Sequence, residues 1–321
     1  MLLIIQYKNG GLTHAPEGHA RKGVDEWPSV QSFRLTERLK MWMPWALAHG
    51  ASLDFNRKDA YRMKRFYYLL VILVLAVIIT IGGCLFRDRE VLFQVSTIDT
   101  LLEGVYDGEV TFGELATHGD FGIGTFDHLD GEMIGLDGRF YQVKYDGKVY
   151  PAKGDMTTPF AVVTFFDADK QVFLDKELDF EALEGYLDSL IPTENIFYAV
   201  RIDGTFKYIK ARSVPRQEKP YPPLLEVTKK QSIFEFNDVE GTIVGFRSPS
   251  YVKGINVPGY HLHFITKDRS GGGHLLACRT AQSEIRIDNT SKFFMVLSER
   301  EEFLRADLAK DKQAELEKIE K

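Results

Sequence analysis

Two histidines one residue apart, His261 and His263, are followed eleven positions later by a third, His274. Tyr260 to Thr266 (YHLHFIT) alternates as a β-strand does, and strand side chains repeat with period two, so His261 and His263 point to one face. Lys267 to Gly273 (KDRSGGG) is turn chemistry, with glycines free to take positive φ. His274 to Thr280 reads as a second strand. With His274 opposite Ile265 or His263, all three imidazoles share one face. Three neutral imidazoles that leave a fourth position open are what a catalytic divalent metal, typically zinc, requires. Cys278, in phase with His274 along that strand, reads as a small buried residue rather than a reactive thiol.

Composition bounds what can surround such a site. The chain has 321 residues, 44% hydrophobic and 27% charged, an ordinary globular balance with room for two domains. Lys and Arg number 40 against 46 Asp and Glu, a net charge of −6, and no basic tract is interleaved with aromatics. Nucleic acid is therefore not an expected partner. Cys84 and Cys278 are too few for a disulfide framework.

The amino-terminal third has a different character. Phe66 to Gly83 is an uncharged run of eighteen residues, preceded by Lys64-Arg65 and leading to Ile81-Gly82-Gly83-Cys84. A basic start, an apolar core and small residues at the exit make a secretory signal. The small-small-Cys ending is similar to the bacterial lipoprotein signal, in which the cysteine is lipidated. The expectation is translation from Met63, a signal peptide over 63–83, lipidation at Cys84 and a short linker over 84–92. Residues 1–62 then read as an upstream extension with no periodic element longer than a turn or two. The competing reading is a signal-anchor helix, since eighteen apolar residues nearly span a bilayer. The expected location is the outer face of the cell membrane, through the lipid or the helix, or outside the cell.

Further along, Ser96 or Thr97 can cap a short helix through Leu102, and Thr111-x-x-Glu114 is a capping box opening a second. Asp137-Gly138 and Asp146-Gly147 separate strands predicted over 132–136, 139–145 and 148–152, with another over 159–166. Asp179 to Leu190 is an amphipathic helix ended by Pro192. Asp203-Gly204 predicts a hairpin between strands 196–203 and 205–211. Four prolines between Arg212 and Pro223 impose an extended connection. Gly241 to Ser248 echoes Gly124 to His128, which points to a duplicated helix-plus-meander unit. Residues 300–321 read as a charged tail helix.

Several segments together resemble the α-acetolactate decarboxylase family: Thr117 to Phe126 (THGDFGIGTF), Leu129 to Met133 (LDGEM), Arg212 to Pro223 (RSVPRQEKPYPP), and Gly259 to Phe264 (GYHLHF) with Gly271 to His274 (GGGH). The likeness runs from about Phe93 to the carboxyl end. It implies an α+β fold of duplicated units forming two β-rich lobes, a mixed sheet and a barrel-like half, over 93–192 and 193–299. It also implies a homodimeric zinc enzyme that converts the small molecule 2-acetolactate to acetoin. Carried over residue by residue, the metal-binding histidines fall on His261, His263 and His274. The family's active-site threonine falls on Thr125, its first glutamate on Glu132 and its arginine on Arg212. A further glutamate, reached from the tail, falls on Glu320, with Glu315 and Glu317 close by. The amino-terminal extension and the lipoprotein-like signal depart from the family.

The chemistry needs these residue types. Losing carbon dioxide from a 2-hydroxy-3-keto acid leaves an electron pair that the adjacent ketone can take up as an enediolate, whose developing charge a Lewis-acidic zinc stabilises. Arg212, with fixed charge, would pair with the carboxylate or the enediolate oxygen. Glu132, with the tail glutamate, is a reasonable proton donor, because a carboxyl in a dry pocket can stay protonated near neutrality. His118 and His128 read as supporting residues. Two other classes compete. Cupin-type metal oxygenases also use a strand-borne His-x-His pair, but expect a glutamate a few residues later, where this chain has Asp268 in the turn. A lipid-anchored metal- or solute-binding protein would have no need of Glu132 and Arg212.

Overall fold

In the computed structural model, which describes residues 57–85 and 89–320, the apolar amino-terminal run lies in one helix, α1 (Arg57–Leu85). α1 passes through Met63 with no break at the expected translation start. Its apolar side chains at Phe66 to Leu70 and Ile72 to Leu75 are exposed. Among the described residues no helix is long and apolar enough to cross a membrane. Cys84 lies in the last turn of α1 with its side chain outside the described residues; so are residues 1–56 of the expected extension.

The chain divides into two units near residue 81, and the second carries every described strand. It opens with β1 (Val91–Val95) and α2 (Ile98–Leu102), where the Thr97 hydroxyl accepts from the Thr100 amide and caps the helix. β2 (Val110–Thr111) leads into α3 (Phe112–Leu115), capped by Thr111 through the Glu114 amide. Then come β3 (Phe121–Thr125), β4 (Glu132–Leu136), β5 (Arg139–Val143), β6 (Val149–Pro151), β7 (Thr157–Thr158) and β8 (Ala161–Thr164). β9 (Lys170–Asp175) precedes α4 (Phe180–Leu190), capped by Asp179. β10 (Phe197–Ser213), α5 (Leu224–Thr228), β11 (Ser232–Ser248), β12 (Gly259–Thr266), β13 (Gly272–Thr290) and β14 (Lys292–Val296) follow. α6 (Glu301–Arg305) and α7 (Gln313–Glu320) end the described chain.

The first sheet has the order β14-β1-β8-β3-β4-β5-β6 and is mixed, because β1 and β14 run parallel while its other pairs are antiparallel. The second has the order β10-β11-β12-β13-β9, and β13 also pairs back along β10, which closes the long strands on themselves. The two sheets differ in strand number and order, so their topology does not display the expected repeat of one unit. Membership also crosses the boundary expected at residue 192. β9 pairs with β13, α4 contributes Leu183 and Leu187 to the core inside the second sheet, and β14 returns to the first sheet.

The hairpin expected at Asp203-Gly204 does not form; β10 runs straight through it. A Cβ on Gly204 would lie 2.3 Å from the Gln282 carbonyl oxygen, so this glycine permits close approach of β13 rather than a turn. The single tail helix is two, α6 and α7, interrupted around Ala306 to Asp311.

Apolar burial has three centres. One fills the space inside the second sheet (Leu174, Val200, Phe206, Phe264, Ile285), and one lies under α3 against the first sheet (Phe93, Phe112, Leu115, Met133). The third joins the two sheets: Ile123 and Ile134 pack with Val244, Phe246 and Ile265, and Leu316 and Ile319 of α7 close it. The functional site lies in that third layer.

Candidate metal centre

β12 alternates as its sequence predicts. Leu262 and Phe264 enter the core of the second sheet, while Ile265 enters the layer between the sheets; His261 and His263 share its phase. Across the ladder His263 stands directly opposite His274, one of the two registers the spacing allowed. The ring centroids lie 5.1 to 5.3 Å apart, and one nitrogen from each ring falls within 4.8 Å of the others. Gly273, at φ 140° within β13, lets β10 approach closely beside His274; a Cβ there would meet the Arg212 carbonyl oxygen at 2.3 Å.

All three imidazoles are buried, and burial holds them neutral. His261 is lowered to about 3 by desolvation, then by the Arg212 charge. His263 and His274 fall well below the ordinary value, again chiefly by desolvation. His263 Nδ1 lies 2.9 Å from the Met133 carbonyl oxygen, to which it can only donate. That fixes the tautomer and leaves Nε2 a bare lone pair, buried with no protein partner. A converging set of neutral imidazoles with a buried Nε2 that lacks a hydrogen-bond partner fits a divalent metal.

The remaining candidates converge on the same cavity, of about 40 Å³, from four different elements. Glu132 opens β4, 3.8 Å from His263 Nε2 through Oε2 and 3.4 Å from Arg212 Nη1 through Oε1. Arg212, 4% exposed near the end of β10, sits opposite His274, and its Nη2 donates to the Ile319 carbonyl at 3.4 Å. Its Nε is buried with no partner. Glu320, ending α7, places Oε2 3.6 Å from His274 Nε2 and 3.9 Å from His261 Nε2. Thr125 lines the cavity, but its hydroxyl donates to the Gly131 carbonyl at 2.7 Å, so the side chain fixes the β3–β4 connection. Burial pushes both glutamates up to about 7; Arg212 opposes the shift in each, and Glu320 adds to that of Glu132.

A bulge aims Arg212. Tyr198, Val200, Ile202 and Phe206 point into the core of the second sheet, but beyond Phe206 the parity changes and Ile209 and Ala211 take that side. Register shifts against β13 between Phe206 and Tyr208 mark the extra residue. Without it Arg212 would face the apolar core rather than the histidines.

Sequence reasoning missed the apolar wall: Ile98 and Leu101 from α2, Leu129, Phe160, Val214 and Leu224. Val214, two residues beyond Arg212, was detectable by strand phase alone. His118 stacks on Phe93 at 3.8 Å between centroids, away from the cavity. His128, at φ 60°, joins Asp107 and Asp127 in a half-buried cluster in which Lys219 pairs with Asp107 and Tyr221 hydrogen-bonds both His128 and Asp107. Asp268 is consumed in its turn by Thr266 and Ser270, which removes the cupin-like ligand set.

Comparison with known proteins meets the same residues. The sequence model of alpha-acetolactate decarboxylase matches residues 92–310. The chain belongs to the α-acetolactate decarboxylase family. An alpha-acetolactate decarboxylase of Methanosarcina mazei is 56% identical over 232 residues, covering 72% of this chain and 81% of the relative. One from Methylococcus capsulatus is 51% identical, covering 73% and 90%. The crystal structure of the decarboxylase from Bacillus subtilis strain 168 superposes with a TM-score of 0.70 at 42% identity, covering 72% of this chain and 98% of that one. The β-rich α+β class and the decarboxylase membership expected from sequence are thereby secured.

Proposed function

We propose that this chain decarboxylates 2-acetolactate to acetoin and carbon dioxide, with zinc held by His261, His263 and His274. The observation that carries the reading is the convergence, in one buried cavity, of three neutral imidazoles with the Arg212–Glu132 pair and Glu320. Bound there, zinc would supply Lewis acidity toward the substrate's ketone and hydroxyl oxygens.

The chain's own residues account for the rest. Arg212 offers a buried, unpaired Nε to an anionic substrate, and its planar guanidinium suits a carboxylate. When the carbon–carbon bond breaks, carbon dioxide leaves, and its bonding pair passes into the adjacent ketone as an enediolate. Glu132, protonated near neutrality by burial, returns a proton from its carboxyl to the carbon that lost the carboxylate, with Glu320 as the second carboxyl at the cavity. Ile98, Leu101, Phe160 and Leu224 keep water from the site.

Purified protein should release carbon dioxide from acetolactate, lose that activity to a chelator and regain it with zinc. His261→Ala should lose bound metal and turnover together; full metal and full turnover in that variant would end the reading. The apolar run ending at Ile81-Gly82-Gly83-Cys84 supports a lipoprotein-type anchor on the outer membrane face, and family membership supports a homodimer.

A further inference from the structure

We propose that the Lys312–Glu103 ion pair positions the tail: it locks α7 onto α2 and thereby sets Glu320 at the histidine cluster. The catalytic part of this inference rests on the function proposed above. Lys312 is 8% exposed, a rare state for a lysine, and its ammonium meets Glu103 at the end of α2. Its carbonyl accepts from the Glu315 and Leu316 amides at 2.9 and 3.0 Å, so the residue that holds the ion pair also starts the helix. Asp99, buried on α2, adds a second negative charge facing the same ammonium.

Both partners of the lock reach the cavity by a short route. α2 gives Ile98 and Leu101 to the cavity wall, and α7 gives Glu320 at its far end. Leu316 and Ile319 pack into the layer between the sheets, and Arg212 holds the Ile319 carbonyl. The segment before Lys312 is a poor anchor by contrast. α6 is exposed and ties to the body through the surface pair Lys219–Glu302, the kind of contact that holds little. A buried ammonium deprived of its carboxylate is strongly unfavourable. Breaking the pair therefore drives Lys312 toward water and draws α7 away with it.

The experiment compares full-length, zinc-loaded wild type with Glu103→Gln, Lys312→Met, Lys312→Arg and the charge swap Glu103→Lys/Lys312→Glu. Hydrogen exchange of the 313–320 amides reports docking, and kcat and KM for acetolactate report its consequence. Glu103→Gln and Lys312→Met should speed exchange in α7 at least tenfold and lower kcat by a similar factor. Exchange in β12 and bound zinc should stay at wild-type levels. Lys312→Arg should stay within about threefold of wild type, and the swap should recover part of the loss. Unchanged α7 exchange in Glu103→Gln, whose carboxylate is part-exposed and whose folding is not at risk, overturns the proposal. So does loss spread equally over β12, which would make the pair ordinary structural support. A wild type that leaves acetolactate untouched would sink the assigned function while exchange still judged the lock.

Discussion

Arg212 shows how much one side chain is asked to do here. It holds Glu132 through Nη1 and the Ile319 carbonyl through Nη2, and keeps Nε in reserve. A lysine can supply the charge but not three donors in one plane. Arg212→Lys should lower turnover by roughly tenfold or more while zinc stays bound. Equal turnover would make Arg212 a structural residue, and metal analysis beside steady-state kinetics decides it. Asp288 poses a different question. It is buried near Glu90, Asp167 and Asp169, and burial, followed by those like charges, pushes it up to about 7 against the Asp167 amide that stabilises its ionised form. A raised native value means its contribution is fully present below about 4 and is lost as pH rises through about 7. Asp288→Asn keeps an oxygen for the Asp167 amide and has no charge to bury. The variant should match wild type near pH 4 and exceed it above pH 7 by on the order of 1–3 kcal/mol in denaturant titrations. A constant difference across that range would refute the assignment.

At the scale of elements, α7 is the piece least expected of a charged chain end. Glu320 lies at the imidazoles, Glu317 is exposed and Glu315 is only part-buried. Glu320→Gln should therefore cost roughly tenfold or more in turnover, with melting temperature and zinc little changed. Glu315→Gln and Glu317→Gln should stay near wild type; loss shared equally by all three would place the carboxylate effect in the helix's total charge. What was legible follows the range of the forces involved. β4 over 132–136, the caps at Thr97 and Thr111 and the shared face of His261 and His263 come from local periodicity and side-chain hydrogen bonds. The bulge near Phe206, the passage of β10 through Gly204 and the return of α7 depend on partners far along the chain, and local pattern is blind to those. Arg212 and Glu320 were reached through family likeness. Their directions needed the bulge and the packing of Leu316 and Ile319.

For the whole molecule, the apolar run ending at Cys84 bears on where it works. If Cys84 is lipidated, the protein should sediment with membranes, and Cys84→Ser should release it or leave it unprocessed. Intact mass would read a chain starting at Cys84 with an acyl group; finding residues 1–62 in the mature protein would contradict that processing. The sheet that carries Glu132 has a consequence for synthesis. Its strand β1 lies parallel to β14, with Gln94 beside Met295 across 201 residues of sequence. Contacts so remote slow folding, because the loop must close before either strand is rewarded. While the ribosome is still building the second sheet, one flank of β1 waits without a neighbour. An unpaired strand edge is a template for aggregation. Released chains truncated before residue 292 should thus bind chaperones more persistently than the released full-length chain, in which β14 can cover that flank of β1.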